Sequence, residues 1–284
     1  MKAVCLVLNY NDAPTTKHMV DSIKEYTVFS NILIVDNAST DNSYDCLKKY
    51  FKTNEKIIVV NSGRNGGYGY GNNFGIKYIK NELKADYAIV SNPDVSFSED
   101  TVIDLIKLMK DKNAALTSAT QIVNGKKIEN PAWKIPTALQ WAFAETRFFK
   151  KYVNGYHYPT SYFESKYSKV DCVRGAFFLL DVNKFLKVNG YDENMFLFGE
   201  ETLLGFKLKQ NNFDTYILNH EYYYHNHSVT INKNIPSIIN QEKIMWQSKK
   251  IFSKKYLKTN QLKMFIFNFI FKLKIIKLKV KSYI

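Results

Sequence analysis

Short apolar runs alternate with amphipathic stretches through the first 110 residues of the chain. Four runs have the length of strands buried on both faces: Val4–Leu8, Ile32–Val35, Ile57–Val60 and Tyr87–Val90. The stretches that follow them repeat apolar residues every three or four positions, as amphipathic helices do: Thr16–Tyr26, Ser43–Phe51, Phe74–Leu83 and Ser98–Lys110. This alternation predicts an α/β fold with a mostly parallel, Rossmann-like sheet covered by helices.

The second half of the chain has a weaker pattern, and residues 120–169 show no clear period. The later candidates are a strand over Val170–Leu180, a helix over Thr202–Gln210, short strands at Tyr216–Leu218 and Tyr222–Tyr224, and a long helix over Ser237–Tyr256. Since no repeat or linker interrupts the chain, we expect one domain over residues 1–230 and a helical tail over residues 231–284.

Polar runs follow each of the four predicted strands: Asn9–Asn11, Asp36–Asp41, Asn61–Asn65 and Asn92–Asp94. In a parallel sheet, ligands bind at the carboxyl ends of the strands. We therefore expect these runs to meet along one edge and to form a binding site. Part of the second run is equally typical of a helix N-cap, at Asp41 or Asn42.

Asp94 and His225 are the candidate metal ligands. Carboxylate oxygen is what Mg²⁺ or Mn²⁺ prefers beside phosphate oxygens, although Pro93-Asp94 is also typical of a plain turn. His225 follows the predicted strand Tyr222–Tyr224, where it is either a second ligand or a structural histidine.

Glu200 and Glu201 open the predicted helix over Thr202–Gln210 and are candidates for a general base. Acids at a helix start are also favoured by the helix dipole alone. Adjacent helix residues point about 100° apart, so we expect only one glutamate to face a reacting centre. The aromatic run Tyr191–Phe198 before them is expected to raise the pKa of a nearby carboxyl group.

The glycine-rich run Asn65–Gly75 follows the third predicted strand. Its spacing is one residue off the dinucleotide-binding fingerprint, which belongs after the first strand, so a nicotinamide-dependent oxidoreductase is weakly supported. Close approach of the backbone to a ligand and a tight turn both explain the glycines. Paired carboxylates also occur in glycoside hydrolases, but those enzymes do not need a sheet edge that binds a metal ion and a diphosphate.

The charge is concentrated at one end of the chain. Residues 242–284 carry twelve lysines against the single acid Glu242, a net charge of +11, which leaves +3 of the total of +14 for residues 1–241. A body with so little net charge argues against nucleic acid as a partner. Three widely spaced cysteines, Cys5, Cys46 and Cys172, favour free thiols in a reducing cytoplasm.

Eight motifs occur in an order that resembles a known enzyme family. They are Val7–Asn11, Ile34–Asp41, Asn65–Gly67, Asn72–Gly75, Asn92–Asp94, Arg174–Ala176, Asp192–Glu201 and His225. Together they resemble family 2 glycosyltransferases of the GT-A fold, in the bacterial rhamnosyltransferase-like branch. The resemblance covers about residues 1–230, and the ordered set is specific although each piece is weak.

The resemblance implies a nucleotide-diphosphate sugar, UDP- or dTDP-linked, across the carboxyl edge of the sheet. The implied donor-binding residues are Asn9, Asn11, Asp36, Asn37, Asn65, Gly66, Asn72, Asn92 and Asp94. Asp94 and His225 would hold Mn²⁺ or Mg²⁺ on the diphosphate. The implied residues on the side of the acceptor, a glycan or lipid-linked glycan, are Arg174, Gly175, Ala176 and Asp192.

The family's Glu-Asp pair falls on Glu200 and Glu201, so Glu201 is the expected base. The chain departs from the family here: residue 201 is Glu instead of Asp, Leu203 replaces an acid, and Lys207 replaces an Arg. The expected activity is inverting hexosyl transfer, with rhamnose as one candidate sugar, onto a growing cell-surface glycan. A nucleotide-diphosphate-binding or scaffolding protein of a glycan assembly complex, without transfer activity, is the alternative.

The tail carries an apolar stripe with helical spacing. Its members are Leu262, Phe265, Phe269, Leu273, Ile276 and Val280. A basic amphipathic helix of this kind is typical of an anionic membrane surface, which would place the protein in the cytoplasm, peripherally on the inner face of the cell membrane. The alternative is a helix packed on the body or on a second copy in a homodimer.

Overall fold

The computed structural model describes residues 3–144, 154–225, 235 and 237–281. The strands are β1 (Ala3–Asn9), β2 (Phe29–Asp36), β3 (Ile57–Asn61), β4 (Tyr87–Ser91), β5 (Val95–Phe97), β6 (Leu116–Val123), β7 (Lys126–Lys127), β8 (Ala132–Trp133), β9 (Tyr167–Val170), β10 (Cys172–Val173), β11 (Phe177–Asp181) and β12 (Thr215–His225). The helices are α1 (Ala13–Ile23), α2 (Ser43–Tyr50), α3 (Tyr68–Tyr78), α4 (Glu99–Asp111), α5 (Ala138–Phe143), α6 (Val182–Lys187), α7 (Glu200–Gln210), α8 (Ile238–Ile251) and α9 (Gln261–Lys281).

The main sheet has the strand order β3-β2-β1-β4-β11-β6-β12-β5. Its first four strands are parallel, β11 runs antiparallel between β4 and β6, and β6 and β12 are parallel to each other. The predicted α/β architecture is therefore confirmed. The registers pair Asn9 with Asp36 and Asp36 with Asn61, so the polar runs lie along one edge, as expected.

Helices cover both faces of the sheet because the strand residues are apolar on both sides. In β1, Cys5 and Val7 belong to a core with residues of α1 and α4, whereas Val4 and Leu6 belong to a core with Ile76 of α3. All four strand residues are buried. Two-sided burial produces the continuous apolar runs from which a parallel sheet was predicted.

Three predicted elements differ from the structure. The helix expected from Phe74 begins six residues earlier, at Tyr68, and ends in a wider π-helical turn, Ile79–Leu83. The glycines inside it serve packing rather than a turn: a Cβ atom at Gly71 or Gly75 would lie 2.3 or 2.5 Å from the nearest side-chain carbon of Leu8 or Leu6. Glycine's helix penalty is offset here by close contact with β1.

The strand expected over Val170–Leu180 is broken into β9, β10 and β11, because the chain leaves the main sheet at Cys172–Val173 to pair with β8. The two short strands expected near residue 220 are one strand, β12. A register shift between Leu218 and Tyr222 interrupts its pairing with β6, and this irregularity hides the strand period in the sequence.

The predicted C-terminal helices are present as α8, its π-helical continuation Phe252–Tyr256, and α9. Met264, Phe267 and Ile270 of α9 pack with Trp246 of α8 and with α5. Within the described residues, no helix combines the length and the apolar character needed to cross a membrane. The boundary expected at residue 230 lies outside the described residues.

Candidate functional site

Asp36 connects the first two polar runs by hydrogen bonds. Its carboxylate accepts hydrogen bonds from the Asn9 amide at 2.7 Å and from the backbone N–H and hydroxyl of Ser39 at 2.8 and 2.7 Å. Asn9 in turn accepts from the Thr16 hydroxyl at 2.7 Å. Asp36 and Asn9 are both fully buried, so in this structure they shape the loop; a direct contact of Asp36 with a nucleotide base stays a prediction.

Asn37 and Asn65 join the second and third polar runs. The Asn37 amide donates to Asn65 Oδ1 and to the Gly67 carbonyl, each at 3.1 Å, and the Ser62 hydroxyl donates to Asn37 Oδ1 at 3.0 Å. Gly66 lies between Asn65 and Gly67 in the chain, and a Cβ atom at this residue would lie 2.4 Å from the Tyr70 ring. These predicted donor-binding residues are thus brought together, which gives the edge a fixed backbone.

Asn11 and Asn72 have different environments. Asn11 is half-buried and its side-chain oxygen accepts from the backbone N–H of Thr40 at 2.8 Å, which places it on the same edge. Asn72 is fully buried within α3, and its amide donates to the Tyr68 carbonyl at 3.0 Å. The placement of Asn72 favours a role in holding α3, and its donor contact stays a prediction.

Asp94 and His225 lie side by side, as the metal hypothesis requires. Their contact arises because β5 pairs antiparallel with β12, with Val95 opposite His225. Asp94 Oδ1 lies 3.1 Å from His225 Nε2, and Gln121 contacts the other ring nitrogen at 2.8 Å. The two side chains are only 8% and 10% exposed. An imidazole with one nitrogen fixed presents the other in a defined direction.

The donor atoms of this pair fit a divalent cation of the Mg²⁺ or Mn²⁺ class, which takes carboxylate oxygen and tolerates imidazole. In the described part of the chain, no group of three or more His, Cys, Asp or Glu side chains is arranged to hold a metal. Phosphate oxygens of a ligand are of the hard-oxygen class that such an ion also takes.

Glu201 lies beside the Arg174–Ala176 run, which borders the Asp94 loop. The backbone N–H of Asn92 donates to the Ala176 carbonyl at 2.9 Å, which joins the predicted Arg174–Ala176 run to the Asp94 loop. A Cβ atom at Gly175 would lie 2.7 Å from Glu201 Oε1. Residue 175 must therefore be glycine for the carboxylate to occupy this position, and the Tyr68 hydroxyl holds the Gly175 carbonyl at 2.7 Å.

The environments of the two glutamates differ as expected. Glu201 is half-buried, whereas Glu200 is only 3% exposed and its Oε1 has no partner among the described residues. Burial raises the pKa of the Glu201 carboxyl, and backbone amides and the Arg174 guanidinium limit the rise. Burial, and then the Glu201 charge, raises the pKa of Glu200 well above its usual value. Glu201 is thus the more accessible of the two carboxyl groups.

The backbone just before the two glutamates is strained. Phe198 and Gly199 have φ of 71° and 89°. A left-handed conformation at an aromatic residue costs about 1–3 kcal/mol and persists only when the surroundings impose it. This turn sets the direction from which α7 presents Glu201.

Arg174 and Asp192, both predicted on the acceptor side, are engaged within the protein. Arg174 donates to the Asn130 carbonyl at 3.0 Å and lies 5.3 Å from the centre of the Trp133 ring. Asp192 accepts from Lys255 and Tyr256, each at 2.7 Å, and from Asn194. Burial raises the pKa of the Asp192 carboxyl, but these hydrogen bonds outweigh burial and hold it well below its usual value. An acceptor contact for Asp192 stays a prediction.

The departures from the family pattern in α7 have local explanations. Leu203 is fully buried and packs in a cluster with Met195 and Phe252, so the tail covers the position where the family has an acid. Lys207 donates to the Asn189 and Gly190 carbonyls at 3.2 and 2.6 Å, just beyond the end of α6. A lysine at this position therefore satisfies carbonyl groups that end a helix.

Several residues of the site had not been identified from the sequence. Gln121 orients His225, Tyr68 holds Gly175, and Lys255 and Tyr256 bind Asp192. Gln121 had no usable signal, because it lies within the mixed polar and apolar run Leu116–Val123. Lys255 and Tyr256 had none, because each is ordinary for an amphipathic helix.

Comparison with known proteins identifies the family of this chain. The model of a family described as glycosyl transferase family 2 matches residues 5–177. The low-salt glycan biosynthesis hexosyltransferase Agl10 of Haloferax volcanii is 23% identical over 207 residues, which cover 73% of this chain and 61% of that protein. The rhamnosyltransferase WbbL of Escherichia coli is 26% identical over 175 residues, 59% of this chain and 64% of that protein. The chain thus spans less than two thirds of either relative.

Solved structures share the fold. GalNAc-T7 with UDP, GalNAc and Mn²⁺ superposes with a TM-score of 0.65 at 15% identity, covering 89% of this chain and 50% of that one. The mannosyltransferase PcManGT of Pyrobaculum calidifontis, in complex with GDP-Man and Mn²⁺, gives 0.60 at 12% identity, covering 92% and 65%. The α/β sheet is therefore the expected GT-A fold. Since the family model also matches more than half of the sequence, this chain belongs to glycosyl transferase family 2.

Proposed function

We propose that this glycosyltransferase is an inverting, metal-dependent hexosyltransferase that uses Glu201 as its base. The observation that carries the proposal is the contact of the Arg174–Ala176 run with the Asp94 loop. Through the 2.9 Å hydrogen bond from Asn92 to Ala176, a half-buried carboxylate and a candidate metal pair share one edge of the sheet. Such an edge suits a nucleotide-diphosphate sugar on one side and a glycan hydroxyl on the other.

The chemistry at this edge is a single displacement. The Glu201 carboxylate takes the proton of the acceptor hydroxyl. At the same time, the oxygen of that hydroxyl forms a bond to the anomeric carbon of the donor sugar. The bond from that carbon to the diphosphate oxygen breaks, and the electron pair leaves with the diphosphate. Attack from the face opposite the leaving group inverts the configuration. A carboxylate whose conjugate acid has a raised pKa is a stronger base than an exposed carboxylate.

Asp94 and His225 would hold the Mn²⁺ or Mg²⁺ ion. When bound, the ion would neutralise negative charge that builds on the departing diphosphate. The nucleoside would lie against Asn11, Asn65 and Gly66, which are half-buried. The buried Asn9, Asp36 and Asn37 would support this surface. Structural neighbours solved with UDP or GDP-Man and Mn²⁺ support a donor of this chemical class. Similarity to a rhamnosyltransferase makes rhamnose the first sugar to try.

A thermal-shift screen with UDP, dTDP and GDP, and with sugars linked to each, tests the donor class. Each ligand is measured with and without Mn²⁺. A ligand at 100 times its Kd stabilises the folded state by about 2.7 kcal/mol, so the matching nucleotide should raise Tm, and more so with Mn²⁺. The absence of any shift would contradict the proposal. Binding without sugar transfer would favour the scaffolding alternative.

We further propose that α9 attaches the enzyme to an anionic membrane surface, as a peripheral protein of the inner face. Its apolar stripe is 52–70% exposed although the opposite face is packed on the body. At about 100° per residue, Phe267 lies nearly opposite the stripe. The exposed Lys272 and Lys279 flank the stripe on one side, and Lys263 and Lys277 flank it on the other. An apolar line between two rows of lysines fits acyl chains below anionic headgroups.

Replacing Phe265 and Phe269 by Ser in the full-length protein should abolish pelleting with phosphatidylserine vesicles, and added salt should weaken pelleting of the wild type. Ile103→Ser, at another exposed apolar position on α4, is the control and should change nothing. Unchanged pelleting of the double variant would remove the membrane proposal. Self-association lost with the same variant in the absence of vesicles would favour a homodimer.

A further inference from the structure

The last turns of α8 and its π-helical continuation, Phe252–Tyr256, contact the segment that leads into α7. Lys255 and Tyr256 each donate to Asp192 Oδ2 at 2.7 Å. Ser248 donates to the Leu197 carbonyl at 2.9 Å. These contacts lie at the start and near the end of the segment 192–199, which we call the base-leading segment because Glu200 and Glu201 follow it directly.

The same helical end also packs beyond the glutamates. Phe252 is fully buried against Leu203 and Met195. Its ring lies 5.3 Å from that of Trp141 on α5, and Trp141 is so close to Gly199 that a Cβ atom there would lie 2.9 Å from it. The C-terminal helices therefore contact the chain on both sides of the catalytic pair.

These contacts help to fix a segment that ends in two residues with positive φ angles. Phe198 and Gly199 are left-handed, and a strained turn relaxes unless its neighbours fix it. The Lys255 ammonium is largely exposed, but the Asp192 side chain is only 4% exposed. Removing the partners of a buried carboxylate leaves an uncompensated charge, which costs far more than the loss of an exposed ion pair.

We propose that Lys255 and Tyr256, acting through Asp192, are positioning residues for the catalytic base. They fix the base-leading segment and so hold the Glu201 carboxylate against Gly175. The inference rests on the proposed transfer activity for its effect on turnover. Its structural part, that these two side chains hold residues 192–206, does not depend on that activity.

The double substitution Lys255→Met with Tyr256→Phe in the full-length protein tests this. Both replacements keep most of the side-chain volume and remove the two donors to Asp192 Oδ2, while the hydrogen bonds from Asn194 to Oδ1 remain. Lys254→Met changes an exposed lysine of the same turn and is the control. The measurements are amide hydrogen exchange, the affinity for the nucleotide found in the screen with Mn²⁺, and kcat and KM for its sugar.

We expect exchange to rise in peptides from residues 192–206 and to stay unchanged in residues 3–36. Nucleotide affinity and donor KM should stay within about twofold, while kcat falls about tenfold or more, because small misplacements of a catalytic group are costly. Lys255→Arg alone should retain kcat, since it keeps a cation for Asp192.

Two results would overturn the proposal: wild-type kcat in the double variant, or exchange that rises equally in all peptides together with a lower Tm, which is the signature of a purely structural role. If the wild-type protein neither binds a nucleotide nor turns over a donor, the proposed function fails. Unchanged exchange in residues 192–206 would then overturn the structural part independently.

Discussion

The two sides of the site are built in opposite ways. The donor side, made of Asn9, Asp36, Ser39, Asn37 and Asn65, comes from neighbouring parallel strands and is held by short hydrogen bonds within one edge. The base side depends on segments that are far apart in the chain: Gly175, Glu201 and the helical end near Lys255. The proposed binding surface thus belongs to the sheet itself, whereas the proposed base depends on contacts between segments that are far apart in the chain.

This difference predicts separable functions. A change on the base side should reduce turnover and leave donor binding intact, whereas a change at the metal pair should weaken donor binding. The substitutions below test that separation.

The largest effect is expected from Glu201→Gln. The amide keeps the size of the side chain but cannot accept a proton, and a general base contributes about 10²–10⁴-fold in rate. We expect kcat to fall by that factor and the Kd for the nucleotide to stay constant. Steady-state transfer assays and calorimetry measure the two quantities.

Glu201→Asp is the matched control, since it restores the residue that the family resemblance leads us to expect. It keeps the carboxylate and shortens its reach by one methylene. If Glu201→Gln transfers sugar at the wild-type rate, another residue is the base, and the buried Glu200 becomes the next one to test.

A smaller and different effect is expected from Asp94→Ala. Loss of the carboxylate leaves His225 as the only protein ligand named for the ion, so Mn²⁺ should no longer strengthen nucleotide binding. We expect the Kd measured with Mn²⁺ to rise about 10–100-fold, the size that metal-site changes commonly have. Without Mn²⁺, variant and wild type should bind the nucleotide alike.

Asp104→Ala, at a half-buried acid on α4, controls for the loss of a carboxylate elsewhere. A Kd for Asp94→Ala that still falls on adding Mn²⁺ would place the ion at other residues. The assignment of Asp94 and His225 as the metal-binding part of the site would then be wrong.

The same contrast decides what could be predicted from the sequence. The strand-end runs were identified because parallel strands of one sheet end at the same edge, and the paired registers of Asn9, Asp36 and Asn61 follow from that rule. For His225 the sequence left two alternatives open, a second ligand beside Asp94 or a structural histidine, since their contact requires an antiparallel pairing of β5 with β12 across 131 residues. Lys255 and Tyr256 could not be placed at all, because no local pattern marks the partner of a residue 63 or 64 positions away.

The smallest effect is expected in the pH dependence, and it probes the base side alone. The base acts when it is ionised. Burial raises the pKa of Glu201 above the ordinary 4.5, so the acid limb of kcat/KM should lie above pH 4.5. The Arg174 charge lowers this pKa, and removing that charge in Arg174→Met should raise the pKa further and move the acid limb to higher pH.

Because the charge of Glu201 raises the pKa of the adjacent Glu200, the limb reports the pair as a unit. Arg174→Lys keeps the charge and should leave the limb near its wild-type position, which separates charge from the contacts that Arg174 makes with Asn130 and Trp133. Nucleotide affinity should not change in either variant, since Arg174 lies on the base side. An acid limb that moves to lower pH in Arg174→Met would mean that a group other than Glu201 controls the rate, and it would break the assignment of the base while leaving the donor side intact.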